Sequence, residues 1–549
     1  QAIRPEVGAV GCKLLYLNGA LQHAGVFLVD HGGGGSHLFH KMPGDRQIYQ
    51  RLDLRVRETS AVTGACLIVS RDKFEQLEGF DEELAVVSND VDFCLRLLDI
   101  GKRNLWTPRC TLIHHESISR EASVPLEDEQ AMWRRWGERF AAGDPYYNPN
   151  LTQAKWDCSQ DYNVAPAELL KRIKSSRNEA QSYRVGVNLI GYIRADMGLG
   201  EGARSDARAL EAAELDFGII NFETANPASM SNLTWRYKEM LNTPFDVNLI
   251  HINADFLPLV FEELPQHFFG NRYNIAYWAW ELEELPENWL GSLKLVDEIW
   301  VPSEFVKQAV EKVSDVPVKT LPHNVALAPS LMYDRLHFGM PDNCFAFLAM
   351  YDTHSIAERK NPKAALLAFQ SAFKKDDFSV CLVLKLNNAT EEALAELDEL
   401  IGEYENIVVL RKRHSREEID ALLTQIDCYV SLHRSEGFGL GPLEAMSLGK
   451  PCILTNWSGN TDYMTEENCL AVDYELITLT EDYGPYNAGQ RWADADVNQA
   501  SDYMQRLVAD SALVERLGRH ARKVVREGFS PEAVGELMKA RLSEIRNAS

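Results

Sequence analysis

A chain of 549 residues is too long to close around one hydrophobic core, and a prior of about 150 residues per domain predicts three or four domains. Hydrophobic residues make up 45% and charged residues 25%, the balance of an ordinary soluble globular protein. The formal net charge of −25 excludes general nucleic-acid binding, which needs surplus Lys and Arg, and disfavours bulk attraction to an anionic membrane.

Ten cysteines, at 12, 66, 94, 110, 158, 344, 381, 428, 452 and 469, stand singly with no C-x-x-C pair. That scatter predicts reduced, mostly buried thiols in a cytosolic protein, without a zinc site or a disulfide framework. No apolar run approaches the ~18 residues needed to span a bilayer, and no signal peptide is visible. The first residue is Gln, which predicts a chain that was processed or that begins inside a longer protein.

In chain order, Gly8 to Tyr16 and Ala61 to Ser70 read as buried strands. Between them lies a glycine run, Gly32 to Gly35, flanked by His31, His37 and His40. These histidines raise a metal hypothesis, but without an i, i+4 helical frame or an acidic partner the segment reads as a loop. Gly79-Phe80-Asp81-Glu82 and Asn89-Asp90-Val91-Asp92 follow, then a helix from Phe93 to Ile100. A strand at Thr111 to Ile113 leads into His114-His115-Glu116-Ser117.

The series TGACLIVSRDKF, GFDEEL, NDVDFCLRL and HHES is similar to the carboxyl half of family 2 glycosyltransferases, which have the GT-A fold. That resemblance implies a general base at Asp90 and, as in some members, a metal ligand at His114. It also implies an amino half with a metal-binding D-x-D, which is missing here. Asp90-Val91-Asp92 spells D-x-D but opens a helix on the acceptor side. Without metal or cradle a diphosphate loses most leaving-group stabilisation, so this portion is expected to be inactive by itself. A divalent metal enters only if the domain is completed. The plainer alternative is that Asp90 caps the helix beginning near Val91.

From Asp144 to Arg184 the composition is that of a linker, with a helix-prone stretch at Pro166 to Asn178. A new pattern starts with a strand at Val185 to Gly191. The glycine turn Met197 to Gly202 opens an amphipathic helix ending near Glu214, and Gly198 and Gly200 can admit an anion to its N-terminus. The turn is not G-x-G-x-x-G, and no acidic residue follows the next strand (Phe217 to Phe222), so an NAD site is not expected. Strands at Asp246 to Asn253, Tyr273 to Trp278 and Glu298 to Val301 alternate with helical stretches at 286–295 and 303–313, predicting a parallel sheet covered on both faces. His251, Trp278 and Glu281 lie at or just past strand ends, where they either line a cleft or serve as core and rim.

After a connector, the βα pattern restarts at Cys344 to Met350. Helices at 362–374, 391–404 and 416–425 alternate with strands at 379–385 and 406–410. Arg359 and Lys360 precede the first of these helices, where cations oppose the helix dipole and therefore call for another reason. Arg411 to His414 reads as a solvated loop. Asp427 to Leu432 is a strand, Glu436 to Gly441 a glycine turn, Pro442 a helix start, Gly449 its stop, and Cys452 to Thr455 a strand. Ser458 to Asp462 is a second turn, and helices at 499–525 and 531–546 end the chain. Glu436 and Glu444, with seven residues between them, can face one crevice at the carboxyl edge of the sheet. Ionised carboxylates accept hydrogen bonds in pairs, which suits vicinal hydroxyls, and Gly437, Gly439 and Gly441 let backbone N–H groups approach a phosphate.

Glu436-Gly437-Phe438-Gly439-Leu440 through Glu444-Ala445-Met446, then Gly449-Lys450-Pro451, resembles the E-x7-E signature of glycosyltransferase family 4. The wider run is similar to its mannosyl- and rhamnosyltransferase-like members. The resemblance implies an α/β protein of GT-B type, with two Rossmann-like doubly wound domains facing a cleft, preceded by a partial GT-A-like domain. The expected boundaries are 1–145 for the GT-A-like part, 146–183 for the linker, 184–325 for the acceptor domain and 326–549 for the nucleotide-sugar domain, whose final helix crosses back. It implies that Glu436 orients the donor sugar and Glu444 holds the ribose. Arg359, Lys360 and the N–H groups of Gly437, Phe438, Gly439 and Leu440 hold the diphosphate, with Gly198 and Gly200 nearby. His251, Trp278 and Glu281 fall on the acceptor side. No metal and no dedicated base are implied, since the leaving phosphate itself assists deprotonation.

The implied activity is retaining transfer of a hexose or deoxyhexose from a GDP-, UDP- or dTDP-sugar to a bacterial surface polysaccharide or lipid-linked glycan. The expected location is cytoplasmic, compatible with the periphery of the inner membrane or with docking on other glycosyltransferases. The rival readings are a non-catalytic carbohydrate-binding or scaffolding subunit, and a related phosphorylase or epimerase.

Overall fold

The computed structural model describes residues 1–17, 19–29, 34–40, 42, 55–81, 83–84, 88–114, 126–148, 169–172, 183–226, 228–327, 332–352, 356–387, 391–412 and 414–548. His31, His115 to Ser117, Cys158 and most of the predicted linker and its helix lie outside these residues. The chain divides into two compact units. One is Gln1–Asn163 with Arg194–Met197 and Glu223–Asn232, and the other is the remainder.

The first unit is built on a mixed sheet. The apolar run Val7–Leu15 forms its buried strand, parallel to Arg103–Ile113 and antiparallel to Leu21–His23 and Leu67–Ile68. Ala61 to Ser70, expected as a buried strand, is instead a 3-10 turn at Gly64–Cys66 followed by a two-residue strand, with Ile68 exposed. The cause is local: the Thr63 side chain accepts from the Ala65 N–H and caps the turn. The helix Asn89–Asp99 starts four residues earlier than Phe93, with Asp90 and Asp92 in its first turn, where carboxylates suit the positive helix end.

The second unit contains two parallel six-stranded sheets. Near-continuous apolar strands such as Phe345–Asp352 and Val380–Asn387 suit sheets buried on both faces. The first sheet runs Val318–Thr320, Glu298–Val301, Tyr273–Tyr277, Phe245–His251, Arg184–Gly191, Phe217–Asn221. In sequence order that is 6-5-4-3-1-2, reversing direction between Arg184–Gly191 and Phe245–His251. The second runs Ile407–Leu410, Val380–Asn387, Phe345–Asp352, Cys428–Ser431, Cys452–Thr455, Leu470–Val472, the 3-2-1-4-5-6 order of a doubly wound Rossmann sheet. These two halves form a GT-B architecture.

Two helix boundaries differ from the sequence pattern. The helix Leu440–Ser447 starts two residues before Pro442, because Gly439 takes φ 88° and turns the chain into it. Pro442 then lies in the first turn, where its missing N–H costs no intrahelical bond. The expected helix at 499–525 is two helices, Val497–Ala509 and Ser511–Gly528, broken at Asp510, whose side chain accepts from the Leu513 N–H. An antiparallel hairpin, Tyr474–Thr478 with Arg491–Ala495, was not anticipated.

The last helix, Pro531–Ala548, packs against the helix Gly198–Ala212 of the first half. Val534, Met538, Leu542 and Ile545 complete the core around Leu189, Leu210 and Leu249. Gly535 sits against the Ala209 carbonyl, where a Cβ would collide. Among the described residues no helix is long and apolar enough to cross a membrane. Seven of the nine described cysteines are buried, Cys66 is half-buried, Cys110 is exposed, and all nine are free thiols.

Candidate active site

In the second half the strand order reverses between Phe345–Asp352 and Cys428–Ser431, and open α/β sheets bind ligands outside the carboxyl ends of strands at such a point. The loop after the first of these strands carries Arg359 and Lys360 on a short turn, Ala357–Lys360, that ends at Asn361 with φ 49°. The loop after the second carries Glu436. The two loops are laced together: Arg359 Nη1 donates to the Ser435 carbonyl at 2.6 Å and to Glu436 Oε2 at 3.3 Å. Lys360 Nζ donates to Glu436 Oε1, and Asn361 Nδ2 to the Leu432 carbonyl at 3.1 Å. So cations that looked misplaced at a helix start are there for a carboxylate 77 residues away.

Arg359 is 3% exposed, and its Nε has no hydrogen-bond acceptor among the described residues. Burial by itself would lower the affinity of this guanidinium for its proton, but Tyr486, Glu281 and Glu436 outweigh it and hold it charged. Burial pushes the Glu436 carboxyl up, yet Lys360, Arg359 and His433 together pull it down to about 2. Lys360 is drawn below the usual ammonium range by burial, aided by Arg359. Arg359 is therefore the fixed positive charge of the cluster. The Glu436 backbone is pinned as well: its N–H donates to Ser458 Oγ at 2.8 Å, and its carbonyl accepts from the Gly459 N–H at 2.9 Å.

Glu444 stands on the helix Leu440–Ser447, also buried, and pairs with a different cation, Arg416 Nη2, at 2.6 Å. Burial raises its carboxyl above the ordinary range; Arg416 opposes this, and Glu201 on the first half's helix adds to it. The two acids of one motif thus titrate in opposite directions, Glu436 downward and Glu444 upward. Replacing Arg416 with alanine should raise the Glu444 pKa further, since the one cation opposing its burial is gone. A carboxyl NMR titration reads this directly, and an unmoved Glu444 would sink the pairing.

Both halves meet at this cluster. Ser303 Oγ donates to the Gly437 carbonyl at 2.6 Å, and Ser435 Oγ to the Glu281 carbonyl. A Cβ at Gly437 would sit 2.8 Å from the Trp280 carbonyl, which explains a glycine there. Phe438 is buried in the core against Tyr463, so only its backbone belongs to the turn. Glu281 lies 3.9 Å from Arg359 and accepts from the Tyr486 hydroxyl at 3.0 Å. The glycine helix of the first half begins at Gly198, with open space at its Cβ position. Gly200 is buried, and Glu201 is held by Arg204 and Arg208 at 2.9 Å each.

His251 and Trp278 do not line a cleft. His251 is 1% exposed, hydrogen-bonds Asp206 Oδ2 through Nδ1 at 2.6 Å and stacks on Tyr277 at 4.3 Å. Trp278 is fully buried. Both side chains turn inward beneath the covering elements, so a strand-end position did not make them cleft residues. In the first unit, Asp90 Oδ2 accepts from the Gly64 N–H at 2.6 Å, and Ser88, not Asp90, occupies the cap position of its helix. Asp92 is the buried member of that D-x-D, taken up by Arg96, Arg135 and the Trp136 indole. His114 follows the strand Arg103–Ile113, its N–H donating to the Leu15 carbonyl. Arg416, Tyr486 and His433 escaped the sequence reading, and Ser458 entered it only as the start of a second turn. For Arg416 the one available signal was Ser415 with Glu418, a capping box that places it at the start of a helix.

The chain is 46% identical over 164 residues to the O-antigen biosynthesis protein RfbC of Myxococcus xanthus, a stretch covering 29% of this chain and 12% of that one. It is 42% identical over 165 residues to the uncharacterized protein y4gI of Sinorhizobium fredii, covering 28% and 18%. The matches thus span less than a fifth of either relative. Among solved structures it is similar to the sucrose-phosphate synthase of Thermosynechococcus elongatus, with a TM-score of 0.49 and 18% identity, covering 67% of this chain and 100% of that one. Residues 352–524, which carry Arg359, Lys360, Glu436 and Glu444, match the family model "Glycosyl transferases group 1", a match confined to the second half.

Proposed function

We propose that the second unit transfers a hexose or deoxyhexose from a nucleotide-diphosphate sugar to a surface-glycan acceptor, with retention and without a metal in this part. The observation that carries the reading is the buried Arg359–Lys360–Glu436 cluster at the strand reversal, with one Arg359 N–H still lacking an acceptor. Arg359, Lys360 and the N–H groups of Gly437 to Leu440 meet the developing diphosphate charge, a preorganised stabilisation that needs no rearrangement during reaction. Glu436 orients the donor sugar, and Glu444 takes the ribose hydroxyls once they compete with Arg416 for its carboxylate. The similarity to an O-antigen biosynthesis protein supports a surface-glycan acceptor.

Asp90 and His114 of the first unit stay outside this scheme. Among the described residues no three His, Cys, Asp or Glu side chains come together to hold a metal. The Asp90 carboxylate is already taken by the Gly64 and Val91 N–H groups.

Thermal shifts with UDP, GDP and dTDP test the reading. A nucleotide at ~100 times its Kd stabilises the folded protein by about 2.7 kcal/mol. One of the three should do so in the presence of EDTA, and the gain should vanish in Arg359→Ala. Stabilisation that survives Arg359→Ala contradicts the assignment. Nucleotide binding without turnover of any nucleotide sugar would favour the scaffolding alternative.

A further inference from the structure

Beside the cluster, the helix Glu304–Glu311 and the loop after the strand Cys452–Thr455 border an open cavity of about 260 Å³. Its walls are aromatic: Phe305 meets Trp457 edge to face at 5.5 Å, and Trp457 meets Tyr474 at 5.3 Å. Its polar groups are neutral, among them the amides of Gln308 and Asn456 and the hydroxyl of Thr461. The Thr461 hydroxyl donates to the Ser458 carbonyl at 2.7 Å and keeps its lone pairs for another donor. The Trp457 indole N–H is buried without an acceptor among the described residues.

We propose that this cavity is a subsite for one neutral pyranose ring of the glycan, adjoining the donor cluster through Ser458. No charged side chain lines it, so phosphates and carboxylates find no counter-charge there. Aromatic walls accept the C–H face of a sugar, while amides and hydroxyls serve its ring of hydroxyl groups, each of which both donates and accepts. The volume lies below the ~300–1,000 Å³ of drug-sized sites, which suits one ring.

The subsite is also wired to the cluster. Ser458, the neighbour of Trp457, accepts from the Glu436 N–H and donates to the Trp457 carbonyl at 2.6 Å. Ser458 itself is held at φ 74°, ψ −154°, a region reserved almost entirely for glycine. Such strain persists only where surrounding bonds over-determine it, and here those bonds join the cavity wall to Glu436. A sugar seated against Trp457 therefore rests on the loop that fixes the proposed donor-orienting acid. As a glycan subsite, this inference rests on the transferase reading.

Saturation-transfer NMR on the full chain tests it, with methyl α-L-rhamnopyranoside, methyl α-D-mannopyranoside and methyl β-D-glucopyranoside as probes. At least one should show transfer to its ring protons, and Trp457→Ala and Asn456→Ala should each weaken binding at least tenfold while leaving the UDP, GDP and dTDP thermal shifts in place. Should Trp457→Ala not fold, Asn456→Ala, a change at an exposed side chain, carries the test. Glycoside signals unchanged in Asn456→Ala, or displaced by uridine or guanosine, overturn the proposal. Glycoside binding lost on these substitutions in a chain that binds no nucleotide upholds the subsite and overturns the transferase reading.

Discussion

Changing Glu436 to glutamine should lower stability by about 3 kcal/mol and sugar transfer by on the order of 10²-fold or more. Two routes reach the first figure. Removing one partner of a buried ion pair typically costs about 3–5 kcal/mol, because the other charge is left uncompensated. Independently, a carboxyl that titrates at 4.5 when unfolded and at about 2 when folded contributes about 3 kcal/mol at neutral pH. The folded value is depressed, so this contribution is complete above pH 4.5 and fades as the pH falls toward 2. Wild type should therefore lose stability more steeply than Glu436→Gln between pH 5 and pH 2. Urea denaturation at several pH values measures both the offset and the slope. Parallel curves for the two proteins would mean that Arg359 and Lys360 do not depend on this acid. Glutamine retains the shape and one acceptor oxygen, so lost transfer alongside a folded chain reports the charge, not the packing.

The second large effect is expected far from the cluster, at Arg541. Its guanidinium makes a two-pronged bond to the fully buried Glu298, Nη2 to Oε2 at 2.6 Å and Nε to Oε1 at 2.9 Å. Glu298 also accepts from the Trp300 indole at 2.7 Å and the Tyr273 hydroxyl at 3.0 Å. Arg541→Ala leaves that carboxylate with neutral donors only, and about 3–5 kcal/mol should be lost. The double variant Glu298→Gln/Arg541→Met should recover most of it. Glutamine can still accept from Trp300 and Tyr273, and methionine covers the apolar stem of the arginine. Fluorescence-detected unfolding of the three proteins decides the matter: a double variant no better than the single one would show that packing, not the stranded charge, sets the cost.

The parallel strands were readable from the sequence because strands covered on both faces need almost unbroken apolar runs, as in Phe345–Asp352 and Val380–Asn387. The glycine turn was readable for a related reason: Gly437 and Gly439 stand where a carbonyl approaches closely or φ is positive. What local pattern could not disclose was pairing. The spacing of Glu436 and Glu444 suggested a shared crevice, but which cation each holds depends on Arg359, 77 residues away from Glu436, and on Arg416, on another helix. For His251 and Trp278 the sequence left cleft and core both open, because a strand end leads either to solvent or into the interior, and only the covering elements decide. Ala61 to Ser70 misled because one threonine side chain, acting over two residues, overrode an apolar run.

The bond from Arg546 to Asp246 joins residues 300 apart. At a synthesis rate of ~5–20 residues per second, the strand containing Asp246 leaves the ribosome roughly 15–60 s before its partner. Throughout that interval the side of the first sheet destined for Val534, Met538, Leu542 and Ile545 stays bare. Nascent chains stalled between the two points should therefore be chaperone-bound and protease-sensitive, and a fragment ending before residue 531 should precipitate when expressed alone.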